Sequence, residues 1–286
     1  MLIEAVGGYL TNSLALLSDA GHMLSDAISL GIALAAFMLS ERAVSNQKTF
    51  GYKRFEVLAA AINGITLILI AIFICYEAIG RFIEPPEVAT IGMLMISILG
   101  LLVNVLVAWL MIRGADTKEN LNMRGAFMHV IGDMLGSIGA IIAALLMMSF
   151  GWLWADPLAS VIVAIIVFKS GLSITKASVH ILMEGAPHNI DVEKTAQQIL
   201  SNEQVLALHD LHIWTISSGL HMLTCHIVVE KEMSIIESEH LLKSIEHQLL
   251  HAGIQHATIQ VETMNHPHDE SLLCKVKVKE EHHHHH

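Results

Sequence analysis

Two short strings, His22-Met23-Leu24-Ser25-Asp26 and His129-Val130-Ile131-Gly132-Asp133, each place a histidine four residues before an aspartate inside a long apolar stretch. On an α-helix that spacing stacks both side chains on one face, about one turn apart. An ionisable group at bilayer depth costs about 2.5–3.5 kcal/mol on insertion scales, so such groups are rare and serve function by default. Two imidazoles and two carboxylates form a complete tetrahedral set for a divalent ion such as zinc. The plainer alternative is a hydrogen-bonded residue that packs helices together. Ser, Thr, Asn or Gln serve that purpose as well as His, and it accounts for one residue rather than two matched pairs.

To share one ion the two pairs must face each other. Two carboxylates cancel the charge of a divalent cation, which removes most of the penalty for burying any of the partners. Nitrogen and oxygen ligands suit zinc, and manganese, cobalt and cadmium are allowed by ligand type. The histidines bind metal only when neutral, so ion and proton compete for the same groups. That competition is a coupling device, and a proton-driven antiporter needs little more than it and a helix bundle with two poses. Asn12, Ser13, Ser18, Asp19, Ser25, Asn63, Asn104 and Asp156 are further polar residues in the apolar stretches. Asp19 either draws cations toward His22 or begins a helix, and Asn63 and Asn104 fit helix–helix hydrogen bonding. Gly132, Gly136 and Gly139 permit close helix approach near Asp133.

The elements that must position these groups follow from composition. The 286-residue chain is 53% hydrophobic and 15% charged, against about 25% charged residues in a soluble domain. This points to a polytopic membrane protein in a lipid bilayer. The net charge of −11 argues against nucleic acid as a partner, which requires basic stripes. Three scattered cysteines, Cys75, Cys225 and Cys274, make no disulfide framework and suit a reducing compartment. The terminal His282–His286 run is set aside as an expression tag. No cleavable signal peptide is visible, and the short first apolar stretch suggests a longer natural N-terminus.

Six spans are expected, at about 1–11, 14–39, 57–80, 89–112, 122–149 and 154–176. All but the first reach the roughly 20 residues that cross a bilayer core. Arg42, Lys48, Lys53 and Arg54 lie in one loop and Arg113, Lys118 and Arg124 in another, while the loops of the opposite side hold Arg81 alone. The positive-inside rule then places both termini in the cytoplasm of a multi-pass protein of the cell membrane. Pro85-Pro86 and Trp152-Leu153-Trp154 mark the other face.

After about residue 180 the texture changes. Residues 191–202 predict a helix with Asp191 as N-cap. Segments 205–216 and 220–230 flank Ser217-Ser218-Gly219 as a hairpin. Ser234 to Ala252 is helical with Gly253 at the C-terminal cap, and 256–263 forms a last strand. The order αββαβ describes a small cytosolic α+β domain. The organisation is therefore 1–178 transport domain, 179–264 cytosolic domain and 265–286 loose tail. His209, His212, His221, His226, His240, His247, His251, His256, Glu262, His266, His268 and Cys274 are the candidate ligands there. A regulatory site at a dimer seam needs ligands from the strands and the second helix, and His209, His226, His240 and Glu262 are spread that way.

These residues resemble the cation diffusion facilitator family, in its bacterial cadmium/cobalt/zinc-resistance branch. The carriers are the run from Asn12 to Asp26, Phe50-Gly51-Tyr52-Lys53-Arg54-Phe55-Glu56, His129 to Asp133, Trp154-Ala155-Asp156-Pro157, Leu182-Met183-Glu184-Gly185 and His209-Asp210-Leu211-His212-Ile213-Trp214. The resemblance implies a homodimer of six-span protomers that exports zinc in exchange for protons, with cadmium and cobalt as further cargo. It maps the transport site onto His22, Asp26, His129 and Asp133, in the His-containing form of the zinc-selective type. It implies a metallochaperone-like cytosolic domain that dimerises and binds regulatory zinc through His209, His226, His240 and Glu262. It also maps a charge interlock at the membrane–cytosol boundary onto Arg54 and Glu184, which by themselves are two solvated charges. A second-ion site in the loop after span two, present in some members, is expected to be absent, because Ser45-Asn46-Gln47-Lys48-Thr49-Phe50-Gly51-Tyr52 lacks the Asp and His ligands.

Two rivals come from other classes. An intramembrane zinc hydrolase needs an open coordination position and a general base, and no HExxH-type string supplies one. A metal-sensing receptor needs an output element, and no kinase, cyclase or DNA-binding segment is present.

Overall fold

Long apolar runs free of internal proline fold as helices, because a helix satisfies its own backbone polar groups. The computed structural model describes residues 2–40, 45–114, 121–217, 219–230, 233–264 and 271–273, with side chains left out at 26, 29, 30, 33, 34, 36, 37, 39, 40, 113, 114, 121–129, 131 and 132. The elements are α1 (Leu2–Thr11), α2 (Leu14–Ser40), α3 (Arg54–Ile83), α4 (Thr90–Gly114), α5 (Leu121–Phe150), α6 (Ala155–Leu182), α7 (Val192–Leu200), β1 (Val205–Ser217), β2 (Leu220–Val229), α8 (Ile235–His251) and β3 (His256–Thr263). Pro157 falls in the first turn of α6, where its missing N–H has no intrahelical partner to lose. Among the described residues four helices are long and apolar enough to cross a membrane, at Arg54–Ile83, Thr90–Ile112, Asp133–Phe150 and Ala155–Leu182.

The chain divides into two units, Met1–Met38 with Ala59–Lys176, and Leu39–Leu58 with Ala177–His286. In the first, α2 is packed on two sides. Ala15 and Leu16 join Met93, Ala140, Ala143, Ala144 and Met147, while Leu14 joins Leu67, Ala71, Ile74, Ala164 and Val167. Alanines recur in both seams because helices without a hydrophobic drive between them associate by close packing. A Cβ on Gly171 would lie 2.8 Å from the carbonyl oxygen of Gly64, so α3 and α6 touch backbone to backbone. Outward faces carry large apolar groups such as Leu69, Phe73, Leu102 and Ile166, all exposed.

In the second unit a three-stranded sheet runs β1-β2-β3, with β1 and β2 antiparallel and β2 and β3 parallel. Asp191 caps α7 by accepting from the backbone N–H groups of Glu193 and Lys194, and Ser234 with Glu237 closes a capping box on α8. Ile199, Leu211, Leu223, Ile227, Ile245 and Leu249 form the core between the sheet and the two helices. Cys225 is sealed there, and burial pushes its thiol up to about 12. Gly253 ends α8 in the left-handed region, at φ +89°, which glycine adopts without strain.

Candidate metal sites

His22 and Asp133 lie in the first unit, on α2 and α5. Asp133 is 7% exposed and His22 is half-buried. The side chains of Asp26 and His129 lie outside the described residues, although the backbone at both positions is helical and one turn from its partner. His22 opens with Asp19 onto a cavity of about 500 Å³ among α2, α5 and α6, walled by Leu135, Ile142, Ile162 and Ile166. An ion in such a setting faces low-dielectric walls and must take its ligands from the few polar groups present.

Small residues bring acids to this seam. A Cβ on Gly136 would lie 2.8 Å from Asp19 Oδ1, so the glycine makes room for that carboxylate. Glu4 is 4% exposed, and its Oε1 and Ser137 Oγ both approach the empty side of Gly100. Glu4 was legible only as an acid inside an apolar stretch, and nothing in its spacing pointed to α4 or α5.

The lesser polar residues resolve into local duties. Ser25 donates to Asn63 Oδ1 at 2.7 Å, which ties α2 to α3. Asp156, fully buried, accepts from Ser13 Oγ at 2.6 Å, from Leu14 N at 2.8 Å and from Ala15 N at 3.2 Å. It thus caps the N-terminus of α2 from the first turn of α6, where an anion is favoured by the helix dipole. Arg81 donates to the Asn12 carbonyl at 2.6 Å and to Glu77 at 3.1 Å, and so holds the α1–α2 turn.

In the second unit three of the four expected ligands meet. His226 Nδ1 is 2.9 Å from Glu262 Oε1, and His209 Nε2 is 3.3 Å from Glu262 Oε2. One donor atom from each of the three lies within 4.8 Å of the others, and this is the one such group of three among the described residues. Two ligands of a tetrahedral zinc, each at about 2.0–2.1 Å, stand roughly 3.3 Å apart, so the spacing fits the ion with little movement. His209 and Glu262 are 6% and 5% exposed. His240 is not in the group; it stands exposed on α8.

Sheet register explains the convergence. His209 pairs with His226, but His212 pairs with Thr224, so one extra β1 residue is accommodated between them. This is a β-bulge, and Asp210 sits in it at φ +55°. The parallel β2–β3 pairing sets His226 beside Gln260 and Val228 beside Glu262, so alternation carries His226 and Glu262 to one face, opposite the helices. The bulge also aims Asp210, whose carboxylate oxygens stand 3.6 Å from His212 Nε2 and 3.7 Å from His226 Nε2. Gln260 donates to Glu262 Oε1 at 2.7 Å. Asp210 and Gln260 are the supporting groups that sequence reasoning missed; the run His-Asp-Leu-His signalled Asp210, and for Gln260 the one signal was its place two residues before Glu262.

Arg54 Nη2 donates to Glu184 Oε1 at 3.1 Å, with both side chains substantially exposed. A pair of this kind is worth less than about 1 kcal/mol. Glu184 follows α6 in the left-handed region, at φ +60°, while His180 packs on Gly185 and bonds the Ala186 carbonyl oxygen at 2.8 Å. In the loop before α3, Lys48 lies 4.0 Å above the Tyr52 ring.

The family model of the cation efflux transmembrane domain matches residues 1–183, and that of the cation efflux cytoplasmic domain matches residues 187–264. A cadmium, cobalt and zinc/H(+)-K(+) antiporter of Bacillus subtilis is 62% identical over 286 residues, 100% of this chain and 92% of its own. The zinc transporter ZitB of Yersinia pestis is 42% identical over 264 residues, 92% of this chain and 83% of its own. The metal cation efflux protein CzcD of Cupriavidus metallidurans is 38% identical over 259 residues, 89% and 81% of the two chains.

Proposed function

The chain belongs to the cation diffusion facilitator family of multi-pass membrane transporters and is not an enzyme, and from that premise we propose that it exports zinc from the cytoplasm by proton-coupled antiport. Cadmium and cobalt are further cargo, as in the name of the Bacillus subtilis relative. The protein works as a homodimer of six-span protomers with both termini in the cytoplasm, and the sheet-containing unit after residue 178 is its cytosolic domain.

The transport site is His22, Asp26, His129 and Asp133. The observation that carries this reading is a buried acid and a half-buried imidazole, Asp133 and His22, in the apolar helical unit that also holds the cavity. Each histidine must shed any proton to bind the ion, and the two aspartates neutralise its charge. Protons arriving from the far side restore the protonated groups and expel the metal, so the same four side chains carry cargo one way and protons the other. Alternating access then requires only that helices rock about the site. The run of alanines where α2 meets α5, Ala15 with Ala140, Ala143 and Ala144, supports such motion, because small side chains leave a smoother contact.

In the cytosolic domain His209, His226 and Glu262 hold a regulatory zinc, with Asp210 and Gln260 orienting the ligands as outer partners do at metal sites. In this reading His240, exposed on α8, is contributed to the site of the second protomer. Arg54 and Glu184 act as the interlock.

Sealed proteoliposomes with an imposed pH gradient test the proposal. Zinc flux and internal pH are followed together for wild type and Asp26→Ala. Opposed zinc and proton movements, lost in the variant, are expected. Zinc movement without protons would replace the antiporter with a facilitator, and tight binding without movement would favour a sensor.

A further inference from the structure

His247 and His251 stand four residues apart on α8, and their ring centroids are 4.6 Å apart at an interplanar angle of 76°. Both are exposed. The buried face of the helix is Leu241, Ile245 and Leu249, so the period of 3.6 residues puts the two imidazoles on the opposite, outer face. Two histidines at this spacing on one helical face can grip a single metal ion.

Three features of the surroundings favour a cation there. His251 lies in the last turn of α8, which ends at the C-cap Ala252, with His247 one turn before it, and the negative end of the helix dipole attracts positive charge. Lys243, one turn before His247 and lining the same hollow as it, is engaged by Glu239 at 2.6 Å, which offsets its repulsion. His247 also borders a hollow of about 380 Å³ with Glu246, Gln255 and His256, which leaves room for the water shell of an ion held by only two protein ligands.

We infer that His247 and His251 form a separate, solvent-facing site for an imidazole-preferring divalent ion of the zinc, copper or nickel class, completed by water. It is distinct from the His209–His226–Glu262 group, which occupies the other face of the sheet from α8. Two neutral ligands with open coordination positions bind more weakly than two imidazoles and a buried carboxylate, so this site fills at higher free metal. It exchanges freely with solvent, whereas His209 and Glu262 of the other group are buried.

Site-resolved protection from diethyl pyrocarbonate tests this on the full-length protein in detergent, with zinc as the probe and each histidine read by peptide mass spectrometry. Zinc is expected to protect His247 and His251 together, with a single midpoint at higher zinc than that of His209 and His226. In His251→Ala the midpoint at His247 should rise at least tenfold, and His247→Ala should do the same at His251. Ser244→Ala, on the same outer face, should leave both midpoints unchanged. Equal protection of His247 in the presence and absence of His251, or no protection of either up to the solubility limit of zinc, overturns the inference. Both substitutions are on an exposed face, so retained circular dichroism and dimer size separate lost binding from lost fold.

Discussion

Asp156 Oδ1 accepts a 2.6 Å hydrogen bond from Ser13 across 143 residues of sequence. The same carboxylate receives the first backbone N–H groups of α2, so one buried acid at the start of α6 sets where the His22-bearing helix begins. Replacing Asp156 with Ala should cost about 1–2 kcal/mol, as lost N-caps do, and more if the freed N–H groups find no water. Thermal unfolding in detergent measures it. Asp156→Asn keeps one acceptor and should recover part of the loss; equal melting of Asp156→Ala and wild type would rule out the cap.

His22→Ala and Asp133→Ala should each abolish zinc flux while dimer size and melting are retained, because each removes a proposed ligand and no core packing. Wild-type flux in either would refute the site. His22→Asp exchanges nitrogen for a harder oxygen ligand and should broaden selectivity toward manganese or cadmium. Competition of each metal against zinc uptake reads the change.

Glu262→Gln should remove the cytosolic equivalent of bound zinc, because the carboxylate is the anionic member of the His209–His226 group and faces both imidazoles. Transport should persist but lose the proposed activation by cytosolic zinc. Equilibrium dialysis and flux at several cytosolic zinc levels measure the two effects. A protein that no longer transports at all would make that ion structural.

His221 is buried beside Thr215 Oγ1, 3.1 Å from its Nδ1, and burial pushes its pKa below the usual 6.5. Above pH 6.5 the ring is neutral both folded and unfolded, and the stability is fully present. As pH falls through 6.5 the unfolded chain takes the proton first, so stability is lost with acidification until the folded form is protonated too. His221→Gln should flatten that part of the curve, as measured by chemical unfolding at a series of pH values from about 7.5 to about 5. An unchanged slope would show that other groups govern it.

Sequence alone determined the local features. Apolar length set the helices, the four-residue spacing put His22 with Asp26 and His129 with Asp133, and Asp191, Ser234 and Gly253 marked helix ends, because each depends on neighbours within a turn or two. Tertiary structure decided what depends on partners distant in the chain. The bulge at Asp210 and the parallel register of β3 bring Glu262 to His209 and His226, while the helical face that exposes His240 leaves it outside the group. Asp156, read from sequence as one of several further polar residues in the apolar stretches, turns out to cap α2 by accepting from Ser13 and the first N–H groups of that helix. Strand pairing and chain closure join residues that no local period relates, so residue types could name these candidates and only packing could choose among them.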